Sequence, residues 1–214
     1  MQTRIGDALV QKGLLSTEQL EQALKLKVSS KKRLGEIFVD LGYLSREQVV
    51  ANLYAQLYER IRDVLEPLAQ LELVIAEAYA LCAEIFPDRR DLWRILVQQE
   101  TDHAEYIRRM ISIAYEKPHL FEMGFPLRRE AVETVIAGIR DAIAKIRKGE
   151  IPKNRIVVFM TDLEKSLIEN RFFDILKSAD PEFNGFIRKI RQETFSHRKT
   201  LEDLTRAPVS GKPS

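Results

Sequence analysis

Cysteine is nearly missing from this chain. Among 214 residues there is one, Cys82, which excludes an internal disulfide framework and any four-cysteine zinc or rubredoxin-like iron site. Long apolar runs are missing too, so no segment reads as a bilayer span. The opening residues MQTRIGDALVQKG carry neither the apolar core nor the cleavage pattern of a secretory signal, and the expected location is cytoplasmic. An excess of one charge sign is also lacking. A net charge of +2 gives no bulk electrostatic case for nucleic acid or an anionic membrane as partner. No GxxxxGKS/T phosphate loop occurs, so a P-loop ATPase is excluded.

What the chain does have is repetition at two scales. In the shorter repeat, RIGDALVQKGLLSTEQLEQAL at residues 4–24 realigns with RLGEIFVDLGYLSREQVVANL at residues 33–53. The offset is 29 residues throughout, pairing Arg4 with Arg33, Gly6 with Gly35 and Gly13 with Gly42. A fixed period marks duplicated structural units. Each unit reads as two short helices. Gly13 and Gly42 stand where a first helix ends in a left-handed residue. Ser16/Gln19 and Ser45/Gln48 form capping boxes that start the next helix. Leu20, Ala23 and Leu24 make one apolar stripe, and Val49 and Leu53 another. An Arg leads each copy, with Gly two positions on. That pair suits a phosphate or a guanine edge, and a solvated helix start explains the Arg equally well.

The pattern RLGxxLVxxGxLSxxQLxxAL, followed in two copies with variations that include Ile5 and Phe38, resembles the MshEN domain at the N-terminus of type II secretion and type IV pilus ATPases. The resemblance covers residues 3–57. It implies a module that binds cyclic di-GMP or serves only for docking. The implied ligand contacts are Arg4, Gly6, Arg33 and Gly35, with Gln56 closing the second copy. The first copy has Lys27 where the family motif has glutamine.

The longer repeat carries metal-site chemistry. LELVIAEAY around residue 72 is echoed by LEKSLIENRF around residue 164, and QETDH at 99–103 by QETFSH at 192–197. The pattern places Glu72, Glu100 and His103 in one half, and Glu164, Glu193 and His197 in the other. Two carboxylates plus two Glu/His helix pairs are the ligand set of a four-helix di-metal bundle. Helices are predicted over about 60–85, 91–115, 128–148, 154–176 and 182–204, the third as a crossover or covering element. The expected fold class is all-α: a small helical duplicated-motif domain (1–57), a four-helix bundle (58–206) and a disordered tail (207–214). Pro67 is expected near the first turn or at a kink.

Residues 60–204 resemble the rubrerythrin branch of the ferritin-like superfamily, through LExxxxExxY on the first helix and ExxHA on the second. The resemblance implies two iron or manganese ions held by Glu72, Glu100, His103, Glu164, Glu193 and His197. In that arrangement Glu72 and Glu164 bridge, and each histidine is terminal on one ion. It further implies a protein reactive towards peroxide or dioxygen that relies on an outside reductant. The fourth helix departs from the family: Glu193 and His197 are four apart rather than three, and Thr194 stands three before the histidine. A π-bulge would absorb the extra residue. Otherwise the bundle is a degenerate scaffold, and the protein is a non-enzymatic adaptor of a secretion, pilus or surface-signalling pathway. Whether the chain is an enzyme stays open on sequence alone. A homo-oligomer and a protein partner in a secretion, pilus or redox pathway are expected. Glu77, Glu84 and Glu169 read as solvent-facing or as outer partners of the ligands, and His119 as a surface residue. Cys82 reads as core; Tyr79 and Phe172, near the site, read as core packing or as redox shielding.

Overall fold

The computed structural model describes residues 5–124, 127–169 and 174–206, the side chains of 167–169 excepted. Arg4, Phe172 and the tail 207–214 lie outside the described residues, as does the side chain of Glu169. The described chain is mostly helical, with eight α-helices: α1 (Ile5–Gln11), α2 (Thr17–Ser29), α3 (Leu34–Asp40), α4 (Arg46–Ile85), α5 (Arg90–Glu116), α6 (Arg129–Arg147), α7 (Lys153–Glu169) and α8 (Pro181–Arg206). The chain divides into two compact units, residues 1–60 and 61–214. The division falls inside α4, which runs unbroken where the composition change at residue 58 suggested a boundary. Pro67 sits in the interior of α4 rather than in its first turn.

The first unit is built from repeat mates. Its core comprises Leu9 with Phe38, Leu15 with Leu44, and Leu20 with Val49, each pair 29 residues apart and all buried. Gly13 and Gly42 adopt φ of 69° and 70°, the left-handed region that glycine enters without a Cβ clash. Both helix ends close alike: Leu14 N–H bonds to Leu9 O and Tyr43 N–H to Phe38 O, each at 2.9 Å. This is the six-to-one bond that satisfies an orphaned terminal carbonyl. Ser16 and Ser45 each accept from the backbone of the glutamine three residues on at 3.2 Å, and Gln19 and Gln48 each return a bond to the serine N–H at 2.8 Å. The two capping boxes satisfy the orphan donors of α2 and α4.

The second unit packs α7 along α8 and α5 against α8. Arg147 Nη2 of α6 lies 3.2 Å from Glu77 Oε1 of α4, and α6 buries one face through Val132, Ile136, Ile139 and Ile143. The structure adds an element that an all-α expectation omits. Strands β1 (Phe121–Met123) and β2 (Leu176–Ser178) pair antiparallel, Phe121 opposite Ser178 and Met123 opposite Leu176. Three-residue strands are too short for alternation to register in a sequence. Leu176 therefore read as the end of a helix. Gly124 closes the pairing: its N–H bonds to Ile175 O at 2.8 Å, and a Cβ there would fall 2.4 Å from Asp174 O. Asp180 then starts α8, accepting from Phe183 N–H at 2.9 Å and from Lys117 Nζ at 2.7 Å. Pro181 takes the first helical position, where a missing N–H costs nothing.

Candidate metal centre

Four helices of the second unit bring acidic and imidazole groups into their apolar faces. On α5 the buried stripe reads Trp93, Leu96, Glu100, His103, Ala104, Ile107, Met110. Helical spacing thus puts Glu100 and His103 on the side that faces the core. On α8 the buried stripe is Phe183, Ile190, Thr194, His197 and Leu201. Glu164 is buried on α7 beside Leu163. Glu72 on α4 is 13% exposed at its side chain.

Two groups of three donors result, Glu72–Glu100–His103 and Glu100–Glu164–His197, each with its ligand atoms within 4.8 Å of one another. Glu100 belongs to both. Its Oε2 lies 3.1 Å from His103 Nδ1 and its Oε1 2.8 Å from His197 Nδ1. Glu72 Oε2 is 3.9 Å from His103 Nδ1, and Glu164 Oε1 is 3.5 Å from His197 Nδ1. The shared position therefore falls to Glu100, whereas the family resemblance gave it to Glu72 and Glu164. Those two each serve one group.

Glu193 takes a different place from the other five. It belongs to neither group, its side chain is 22% exposed, and its Oε2 meets His103 at Nε2, 2.9 Å away. The reason is geometric. Helix α8 is regular through 181–206, with no π-bulge to absorb the four-residue spacing. Thr194, not Glu193, falls in the buried stripe, and Thr194 Oγ1 donates to Ile190 O of its own helix.

Charge balance in this cluster is strained. Burial, then repulsion from Glu100, raises the Glu72 carboxyl well above its usual range. Burial likewise raises Glu164, despite the opposing pull of His197. For Glu100 burial is outweighed by the hydrogen bond with His103 and the close approach of the His197 ring, which hold it below the usual range. Burial disfavours charge on the imidazoles, but the carboxylates outweigh it. His103 is raised, and His197 is pushed up to about 10 by Glu100 and Glu164. The carboxylates thus favour the charged form of both imidazoles. Even so, Glu164 Oε2 is buried without a hydrogen-bond partner. Buried polar atoms are rarely left so. Carboxylate and imidazole donors brought together in this way could hold a metal ion.

Of two further neighbours of the centre, Gln99 has no role read from the sequence, and Tyr79 reads as packing or redox shielding near the site. Gln99 Oε1 lies 3.1 Å from His197 Nε2; the glutamine that precedes the glutamate in both QET segments was its only signal. Tyr79 is fully buried and its hydroxyl donates to Glu164 Oε1. Burial, then Glu164 and Glu100, raises its phenol well above the ordinary value, so it stays a donor. Trp93 stacks on Tyr79 with ring centroids 5.9 Å apart. Glu77 and Glu84 are exposed, His119 is exposed, and Cys82 is buried.

In the first unit, a groove of about 650 Å³ is lined by Lys32, Arg33, Gly35, Arg46, Val50 and Leu53 among others. Gly35 lines this groove and Gly6 does not, and both have a packing role. A Cβ at Gly6 would lie 2.4 Å from Leu20 Cδ1, and one at Gly35 2.7 Å from Val49 Cγ1. These are the same close approach, repeated 29 residues on. Each glycine thus lets a leucine or valine of the next helix approach the backbone closely. Gln56 is half-buried on α4 and is not among the groove's lining residues. Lys27 Nζ donates to Lys32 O at 2.7 Å, tying down the segment between the copies. No helix among the described residues is long and apolar enough to cross a membrane. No family model matches the chain, and no curated protein or solved structure matches it.

Proposed function

We propose that the second unit is a ferritin-like, rubrerythrin-type centre for two iron or manganese ions. The observation that carries this is the pair of donor groups sharing Glu100, with Glu164 Oε2 buried without a hydrogen-bond partner. Glu72 and His103 would hold one ion and Glu164 and His197 the other, with Glu100 between them. Bound iron or manganese supplies the redox chemistry for reducing peroxide or dioxygen. The chain's own residues set the conditions. Tyr79 fixes Glu164 by donating to it, and Tyr79 and Trp93, both fully buried, keep bulk water from that side. With a single cysteine in 214 residues, electrons come from an outside reductant. Anaerobic titration with Fe(II) or Mn(II) tests this. The expected result is saturable binding of two ions per chain, abolished in Glu100→Ala; absence of binding in the unaltered protein removes the proposal.

The first unit is proposed as a sensing or docking module of the cyclic-di-GMP type. The groove beside Arg33 and Arg46 supports this, since it combines guanidinium groups with an apolar floor. Saturable binding of cyclic di-GMP, lost in Arg33→Ala, is expected; no binding at high micromolar ligand leaves docking alone. A second reading is an adaptor built on a metal-free scaffold. The position of Glu193 outside both donor groups favours it, and the metal titration separates the two.

A further inference from the structure

His103 and His197 are held in the same way by crossed partners. Each ring turns Nδ1 inward: His103 towards Glu100 and Glu72 at 3.1 and 3.9 Å, His197 towards Glu100 and Glu164 at 2.8 and 3.5 Å. Each turns Nε2 outward onto a side chain of the other histidine's helix. Glu193 of α8 takes His103 Nε2 at 2.9 Å, and Gln99 of α5 takes His197 Nε2 at 3.1 Å. Both partners are acceptors at the contacting oxygen. An imidazole that donates from Nε2 keeps its lone pair on Nδ1, the atom that faces the carboxylates.

We propose that Glu193 is not a metal ligand, and that Glu193 and Gln99 are positioning residues which fix the tautomer and ring angle of His103 and His197. The inference rests on the metal-centre reading above. It replaces a six-ligand site with a five-residue one: Glu72, Glu100, His103, Glu164 and His197. The position three before His197, where the family motif has its glutamate, holds Thr194, 4% exposed and bonded to its own helix. The extra residue between Glu193 and His197 therefore leaves both donor groups intact. It moves a carboxylate from the inner shell to the back of the opposite histidine, where an outer partner orients a ligand and raises its basicity.

Ion stoichiometry and affinity separate the two roles. Co(II) is the probe, because its visible spectrum reports coordination without turnover. The proteins are the full chain, Glu193→Gln, Glu193→Ala, Gln99→Ala, and Glu164→Gln as a ligand control. Circular dichroism verifies that each is folded. The unaltered chain and both Glu193 variants are expected to bind two ions with the same spectrum. Glu193→Ala and Gln99→Ala should bind about 10–100-fold more weakly, and Glu193→Gln, which keeps an acceptor, should recover most of that loss. Glu164→Gln should bind one ion. If either Glu193 variant also stops at one ion, Glu193 is a ligand and the inference is overturned while the metal centre stands. Unchanged affinity in Glu193→Ala overturns the positioning role. An unaltered chain that binds no ion overturns the metal centre and the inference together.

Discussion

The two duplications in this molecule have been held to different standards. In the first unit every paired feature keeps the 29-residue offset: the left-handed glycines, the serine caps, the core mates Leu9 and Phe38, and the glycine contacts onto Leu20 and Val49. In the second unit the offset drifts from 92 for Glu72/Glu164 to 94 for His103/His197. Close packing explains the contrast. A Cβ in the wrong place meets a neighbour at once, so a packing repeat tolerates no slip. A donor group needs only to deliver atoms to a common point. His197 arrives there from a regular helix although Glu193 no longer does.

The largest expected effect tests the packing repeat. Phe38→Ala and Leu9→Ala, both at fully buried positions, should each cost about 2–5 kcal/mol. Chemical denaturation followed by circular dichroism would measure this, and metal stoichiometry should be unchanged. A mild cost at one mate with a severe cost at the other would break the equivalence of the two copies.

The second effect contrasts sign. Substitutions in a packing repeat destabilise, whereas neutralising a strained buried carboxylate in the metal-free second unit should stabilise. Glu164→Gln is expected to raise the melting temperature of the metal-free chain by about 1 kcal/mol in stability, since burial already favours its neutral form. The same variant should lower the melting temperature gained on adding Mn(II). Calorimetry with and without the ion decides.

A smaller effect concerns Asp180, which caps α8. Its carboxyl is held low, chiefly by Lys117 and then by the Phe183 N–H. A lowered folded pKa adds stability above the ordinary aspartate range, near about 4. That stability is lost as pH falls through the folded value. Asp180→Ala should cost about 1 kcal/mol at neutral pH, and the difference should vanish in acid. Of similar size, Gly13→Ala and Gly42→Ala should cost about 1 kcal/mol each, because a Cβ is disfavoured in the left-handed region. Equal losses are expected, because the two turns share φ and bonding.

The repeat in the first unit was legible because its signals are local: a glycine at a helix end and a serine three before a glutamine need only a few neighbours. The helices of the second unit were legible from their apolar spacing, and so were Glu100 and His103 as a core-facing pair. The continuity of α4 was not, since a change in composition does not mark a break in hydrogen bonding. The two short strands were hidden by their length. The sharing of Glu100 was hidden because it depends on where α8 lies against α5. Glu193 and Thr194 are adjacent in sequence, and only the buried stripe of α8 decides which of them faces inward.

The central claim is that the second unit holds two divalent ions through Glu72, Glu100, His103, Glu164 and His197. Elemental analysis of the purified chain after expression in iron- and manganese-replete medium tests it most directly. Close to two ions per chain are expected, falling to none in Glu100→Ala. A metal content near zero in the unaltered chain would contradict it.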